Sequence, residues 1–113
     1  MPPRGDLIQS LDVLTPYLDT VEKLVDWEKI RAAKMRFVAD PMHGSACGLL
    51  STLMRRNGVA CDEIRGTRDP LFGGVNPEPM PQNLADTGRL LKANPADICI
   101  VNDGDADRLA AMD

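Results

Sequence analysis

Three aspartates near the carboxyl end of the chain constrain its fold and chemistry more than any other feature. Asp103, Asp105 and Asp107 alternate with single small residues. They follow the apolar run 98–101 after one asparagine and stand directly before Arg108. Two carboxylates about 5 Å apart repel each other by roughly 3 kcal/mol at an effective dielectric constant near 20. A divalent cation removes this repulsion and uses the oxygens as ligands. The pattern therefore predicts a metal site.

Backbone geometry restricts how these side chains can meet. In a strand, residues two apart lie about 6.6 Å from each other, and in a helix the middle carboxylate points away from the other two. We therefore expect a curled loop, with Gly104 adopting a positive φ and Ala106 adding little bulk. All-oxygen ligation favours Mg²⁺, Mn²⁺ or Ca²⁺ over zinc. Such a site leaves positions for water or a phosphoryl oxygen, and Arg108 is placed to hold an anion beside the metal.

The acidic run has two other interpretations. A solvated acidic turn without a metal remains the alternative. An EF-hand is rejected because its loop requires glycine at the sixth place, where this chain has Arg108, and because the flanking residues have strand character.

Composition narrows the class of protein. The 113 residues are 43% hydrophobic and 27% charged, with a net charge of −4, which fits one α/β domain. Without a basic stripe we expect no nucleic-acid partner, and without a long apolar run we expect no membrane association. Cys47, Cys61 and Cys99 form no zinc or CxxC pattern, which favours reduced thiols in a cytoplasmic protein.

Hydrophobic periodicity predicts alternating strands and helices. Residues 1–14 are interpreted as a linker or arm, and Thr15 as the N-cap of a first helix. Two βα units and a third strand precede the acidic loop, and the strand after it should return antiparallel because the loop is tight. The predicted strands cover 35–40, 59–64, 98–101 and a segment that begins at Leu109.

Several segments of the sequence resemble those of a known family, the α-D-phosphohexomutases, which include phosphoglucomutases and phosphomannomutases. The resemblance covers residues 15–113 and the second domain of those enzymes. It rests on four elements in the family's order, namely 40–44, 69–72, 77–79 with Asn83 and Leu84, and the acidic loop 103–108.

The resemblance implies a three-layer α/β/α domain with a four-stranded mixed sheet whose last strand is antiparallel. It also implies Mg²⁺ held by Asp103, Asp105 and Asp107, with Arg108 beside the phosphate and sugar of a hexose phosphate. The family transfers a phosphoryl group within its substrate through a phosphoserine, which would lie in one of the other domains. The resemblance therefore implies that this chain alone is inactive and that its partners are the remaining domains of the same enzyme. The sequence does not identify the sugar that is bound.

Other functions stay open from the residues alone. One is a stand-alone divalent-metal or phosphate-binding module without catalysis. A Mg²⁺ phosphatase is disfavoured because no DxDxT-like nucleophile is present. Of the weaker features, His43 is interpreted as a structural histidine and Ser45 as a helix N-cap. Glu78 is interpreted as a brace within its proline-rich loop, with a position facing the cleft as the alternative.

Overall fold

A computed structural model describes residues 5–113, except for the side chain of Asp6. Four helices and four strands alternate along most of this range, and three short 3₁₀ turns separate some of them. The helices are α1 (Leu14–Glu22), α2 (Trp27–Ala33), α3 (Leu49–Arg56) and α4 (Ala85–Ala93), the strands are β1 (Phe37–Asp40), β2 (Cys61–Glu63), β3 (Ile98–Asn102) and β4 (Leu109–Met112), and the 3₁₀ turns are Gly5–Leu7, Phe72–Gly74 and Pro81–Asn83.

The strands form one mixed sheet in the order β2-β1-β3-β4. Strand β1 pairs in parallel with both β2 and β3, while β4 runs antiparallel to β3. The predicted mixed sheet with an antiparallel last strand is confirmed. Because three strands are parallel, their carboxyl ends meet at one edge, where open α/β sheets bind their ligands.

Side-chain alternation along β1 explains why helices cover both faces of the sheet. Phe37 and Ala39 pack in a cluster with Met54 of α3. Val38, between them in sequence, packs on the other face with Leu84, just before α4. Successive strand residues point to opposite faces, so a strand that is buried along its whole length needs a layer on each side. The resulting architecture is the expected α/β/α domain.

The beginning of α1 differs from the sequence prediction. The helix starts at Leu14, and the carboxylate of Asp12 accepts hydrogen bonds from the backbone N–H groups of Leu14 and Thr15. Thr15 therefore lies inside the helix and is not its N-cap. Of the predicted arm 1–14, residues 1–4 lie outside the described residues, and Leu11 is 80% exposed. That assignment stays a prediction. No helix in the described range is long and apolar enough to cross a membrane.

A buried ion pair ties the carboxyl ends of β1 and β2 to α4. Asp40 is fully buried, and its carboxylate accepts from Nη2 of Arg65 at 2.6 Å and from the hydroxyl of Thr87 at 2.6 Å. The backbone N–H of Met42 donates to the same carboxylate at 3.0 Å. Since every one of these groups lies near the carboxyl edge, the network holds in place the loops that leave it.

Candidate metal centre

The acidic loop is the turn between β3 and β4. Asp103 N–H donates to the carbonyl of Arg108 at 3.2 Å, and Ala106 N–H donates to the carbonyl of Asp103 at 3.2 Å. Ala106 has a φ of 67°. Gly104 is absent from the residues with positive φ, so the prediction that it would supply the left-handed position is wrong. Ala106 takes that position at some conformational cost.

The turn brings the three predicted ligands together. One carboxylate oxygen from each of Asp103, Asp105 and Asp107 lies within 4.8 Å of the others. Around an octahedral Mg²⁺ with bonds of about 2.1 Å, neighbouring oxygens are about 3.0 Å apart and opposite ones about 4.2 Å. Small side-chain rotations therefore suffice to close the set on an ion. Asp103 is buried, whereas the other two are exposed. The donor set therefore fits a divalent cation with coordination positions left open on its solvent side.

Gly104 serves the site by permitting close packing. A Cβ at this position would lie 3.0 Å from Cγ of Pro77 and 3.1 Å from Cε1 of Phe72. Its N–H donates to the carbonyl of Pro77 at 2.9 Å, and its carbonyl accepts from the N–H of Ser45 at 2.9 Å. Ser45 is therefore tied to the acidic loop, and the N-cap of α3 is Gly48, so the predicted capping role of Ser45 is wrong.

Arg108 is the internal counter-ion of the cluster. Its Nε donates to Oδ2 of Asp103 at 2.9 Å, and its backbone N–H donates to Oδ1 of the same carboxylate at 3.0 Å. Nη1 donates to Oε1 of Glu78 at 2.7 Å. Hydrogen bonds to Asp103 and Glu78 raise the pKa of Arg108 above its usual value, so the guanidinium is charged at any physiological pH.

The carboxylates of Asp103 and Asp107 respond to their surroundings in opposite directions. For Asp103, burial alone would raise the pKa, but hydrogen bonds from Arg108 outweigh it and the pKa is lowered. For Asp107, the hydrogen bond with Asp103 and then the negative charges of Asp105 and Asp103 raise the pKa. This strain between like charges is the repulsion that a cation would relieve.

A cavity of about 380 Å³ lies beside the acidic loop. Glu78 is part of its wall, and the ion pair with Arg108 shows that this side chain faces the site instead of only bracing its loop. The sequence does not indicate that Glu78 pairs with Arg108, because no periodic pattern connects residues on separate loops. The lining residues are Phe72, Asn76, Pro77, Glu78, Asp103, Gly104, Asp105 and Arg108.

A second cavity, of about 350 Å³, lies next to the first and shares Phe72 and Gly104 with it. His43 lines this cavity, and its Nδ1 lies 2.7 Å from the carbonyl of Thr67. Its backbone N–H donates to the carbonyl of Arg65 at 2.9 Å. These contacts fit the structural interpretation of the histidine.

The similarity to known proteins extends over the segment that contains α1 to β4. The model of the family described as phosphoglucomutase/phosphomannomutase, alpha/beta/alpha domain II, matches residues 15–113. The chain belongs to the phosphoglucomutase/phosphomannomutase family. Its relatives include a phosphoglucomutase/phosphomannomutase of Thermococcus kodakarensis, 32% identical over 94% of this chain, and a phosphoglucosamine/phosphogalactosamine mutase of Sulfurisphaera tokodaii, 33% identical over 89%.

Solved structures agree with this family membership. The crystal structure of a protein proposed to be a phosphomannomutase, from Thermus thermophilus, superimposes with a TM-score of 0.83 at 32% identity over 92% of this chain. This domain covers 24% of that chain, and 23% and 22% of the two named relatives. It therefore spans about a quarter of the length of the mutases that it matches.

Proposed function

We propose that this chain is the metal-binding second domain of a phosphohexomutase. The observation that carries the proposal is the convergence of three carboxylates within 4.8 Å at the carboxyl edge of the sheet, in a member of this family. Asp103, Asp105 and Asp107 would hold Mg²⁺, and Arg108 would contact the phosphate and the sugar of a hexose phosphate.

The division of labour follows from the contacts of each residue. Asp103 is the fixed ligand, because both of its oxygens already accept hydrogen bonds from Arg108 and it is buried. Asp105 and Asp107 are exposed and can rotate onto the ion. When bound, Mg²⁺ supplies neutralisation of the negative oxygens on a phosphoryl group in transfer. The chain's own residues orient and bind that group next to Arg108.

The complete reaction requires parts beyond this domain, because the relatives are about four times longer. We propose that the remaining domains of the same enzyme supply the phosphoserine that gives and takes the phosphoryl group, and most of the sugar contacts. The isolated chain would then leave hexose phosphates unchanged. A cytoplasmic setting belongs to the same proposal, because Cys47, Cys61 and Cys99 are free thiols and form no disulfide.

An NMR titration of the full chain with Mg²⁺ tests the metal site. We expect the amides of residues 102–108 to shift first and with low affinity, and Asp103→Asn to abolish the response. Asp86→Asn is the matched control, because this exposed carboxylate on α4 pairs with Arg89 at 3.1 Å and has no described contact with the acidic loop. Shifts elsewhere, with none in residues 102–108, would contradict the assignment.

The stand-alone binding module makes different predictions for the same sample. It requires the chain to bind Ca²⁺ or phosphate tightly, at micromolar concentrations, without other domains. Turnover provides a further discriminating measurement: incubation of the chain with glucose 1-phosphate and Mg²⁺ should yield neither glucose 6-phosphate nor free phosphate. Release of phosphate would favour a self-contained phosphatase.

A further inference from the structure

Glu78 connects the proline-rich loop to the acidic loop through its ion pair with Arg108. We propose that Glu78 is a positioning residue that orients the Arg108 guanidinium at the wall of the 380 Å³ cavity for contact with a phosphate anion. The proposal rests on the proposed function, because it concerns the same site. It adds a residue from outside the acidic loop and a definite role for it.

The main chain around Glu78 is fixed from several sides. Proline on each side restricts the backbone, and the carbonyl of Pro77 accepts from the N–H of Gly104 at 2.9 Å, next to the ligand Asp103. The carbonyl of Glu78 accepts from Nδ2 of Asn83 at 3.0 Å. The carboxylate is therefore presented from a rigid base that is hydrogen-bonded to the acidic loop itself.

Two carboxylates accept hydrogen bonds from different nitrogens of the Arg108 side chain, and Asp107 lies farther away, with its Oδ1 3.5 Å from Nε. Nε donates to Asp103 at 2.9 Å and Nη1 donates to Glu78 at 2.7 Å. A planar guanidinium held at two of its nitrogens is fixed in orientation. Among the side chains and backbone groups that the structure describes, Nη2 of Arg108 has no hydrogen-bond partner, so this nitrogen is available as a charge-assisted donor to an oxyanion.

The sign of the effect of Glu78→Gln separates positioning from simple electrostatics. Removal of a negative charge beside a phosphate site should by itself strengthen the binding of phosphate. Loss of the orientation of Arg108 should weaken it. We expect inorganic phosphate to bind the Mg²⁺-saturated chain about two- to fivefold more weakly in the variant, the range typical of an exposed ion pair.

The experiment measures the affinity of inorganic phosphate for the full Mg²⁺-saturated chain by NMR, in a double-mutant cycle. Glu78→Gln should weaken phosphate binding when Arg108 is present. In an Arg108→Lys background it should not weaken binding, because only the loss of negative charge remains and that change alone strengthens it. Asp86→Asn removes a carboxylate from a comparable exposed pair with Arg89 and should leave the affinity unchanged.

A second measurement needs no ligand. The Nη signals of Arg108 should show hindered rotation about the Nε–Cζ bond in the wild-type chain and in Asp86→Asn, and free rotation in Glu78→Gln. Equal or tighter phosphate binding by Glu78→Gln, an equal loss in the Arg108→Lys background, or unchanged rotation would each overturn the role of Glu78. A wild-type chain that binds neither Mg²⁺ nor phosphate would overturn the proposed function together with the anion role of Arg108.

Discussion

The crossing of two backbone segments at Gly44 and Gly104 allows a test of how the fold holds the acidic loop. An added Cβ on Gly44 would lie 2.5 Å from the carbonyl oxygen of Gly104 and 2.9 Å from its Cα. Both neighbours are backbone atoms, which cannot rotate away as the end of a long side chain can. Gly44→Ala must therefore push the acidic loop away from the turn that follows β1.

The expected cost has two parts. Overpacking of a tight interior contact costs about 1 to 3 kcal/mol. The displacement also stretches the hydrogen bond from Ser45 N–H to the Gly104 carbonyl, now 2.9 Å, and a bond of this kind contributes about 0.5 to 1.5 kcal/mol. We expect Gly44→Ala to lower the free energy of unfolding by about 2 to 4 kcal/mol. At a typical m-value near 2 kcal/mol/M, the urea midpoint falls by about 1 to 2 M.

Urea unfolding followed by the fluorescence of Trp27, the single tryptophan, measures this change. Gly88→Ala is the matched control, because nothing lies within 4 Å of a Cβ at this helical position. Alanine in a helix is favoured over glycine by about 0.5 to 1 kcal/mol, so the control should be more stable than wild type. An unchanged midpoint for Gly44→Ala would refute the reasoning, as would an effect of the same sign in both variants.

Three further predictions concern the charged groups of the carboxyl edge. Asp40→Asn removes one partner of a buried ion pair and should lower the free energy of unfolding in urea by about 3 to 5 kcal/mol. Asp62→Asn, in an exposed pair at 3.4 Å, should lower it by less than about 1 kcal/mol, and similar losses in the two variants would contradict the role of the buried pair. Asp107→Asn should stabilise the metal-free chain at neutral pH, because the raised pKa of Asp107 means that its ionised form is disfavoured in the folded state, and should abolish stabilisation by Mg²⁺. Ionised carboxylates are the ligands of the proposed metal site, so Mg²⁺ binding by wild type should weaken as the pH falls through the pKa of Asp107, which is raised above its usual 3.8. Thermal melts with and without Mg²⁺ between about pH 4 and 7 measure this change.

Local patterns were sufficient to predict the sheet but not every helix end. Alternating apolar segments and a tight last loop indicated β1 to β4 and the antiparallel return of β4, which the structure confirms. The helix caps were harder to predict, because several polar residues near each helix end could serve as the cap. Asp12 accepts the bonds at the start of α1 that were assigned to Thr15, and the N-cap of α3 is Gly48 instead of Ser45.

The site shows the same division between local and long-range information. Spacing alone predicted that Asp103, Asp105 and Asp107 would converge, because one tight turn contains all of them. The pairing of Glu78 with Arg108 joins loops that are 30 residues apart. Such a contact depends on how the whole sheet orders its loops, and no pattern within either segment encodes it.

Contacts within the protein hold the acidic loop in the shape that brings its carboxylates together. Asp103 is fixed by the backbone and side chain of Arg108, and Gly104 is fixed by hydrogen bonds on both its N–H and its carbonyl. The surplus of negative charge nevertheless persists, because the site contains four carboxylates, those of the loop and of Glu78, and the single guanidinium of Arg108. A strongly negative loop whose contacts converge its carboxylates should attract a divalent cation, and a bound cation lowers the negative charge beside Arg108, which allows a phosphate anion to follow.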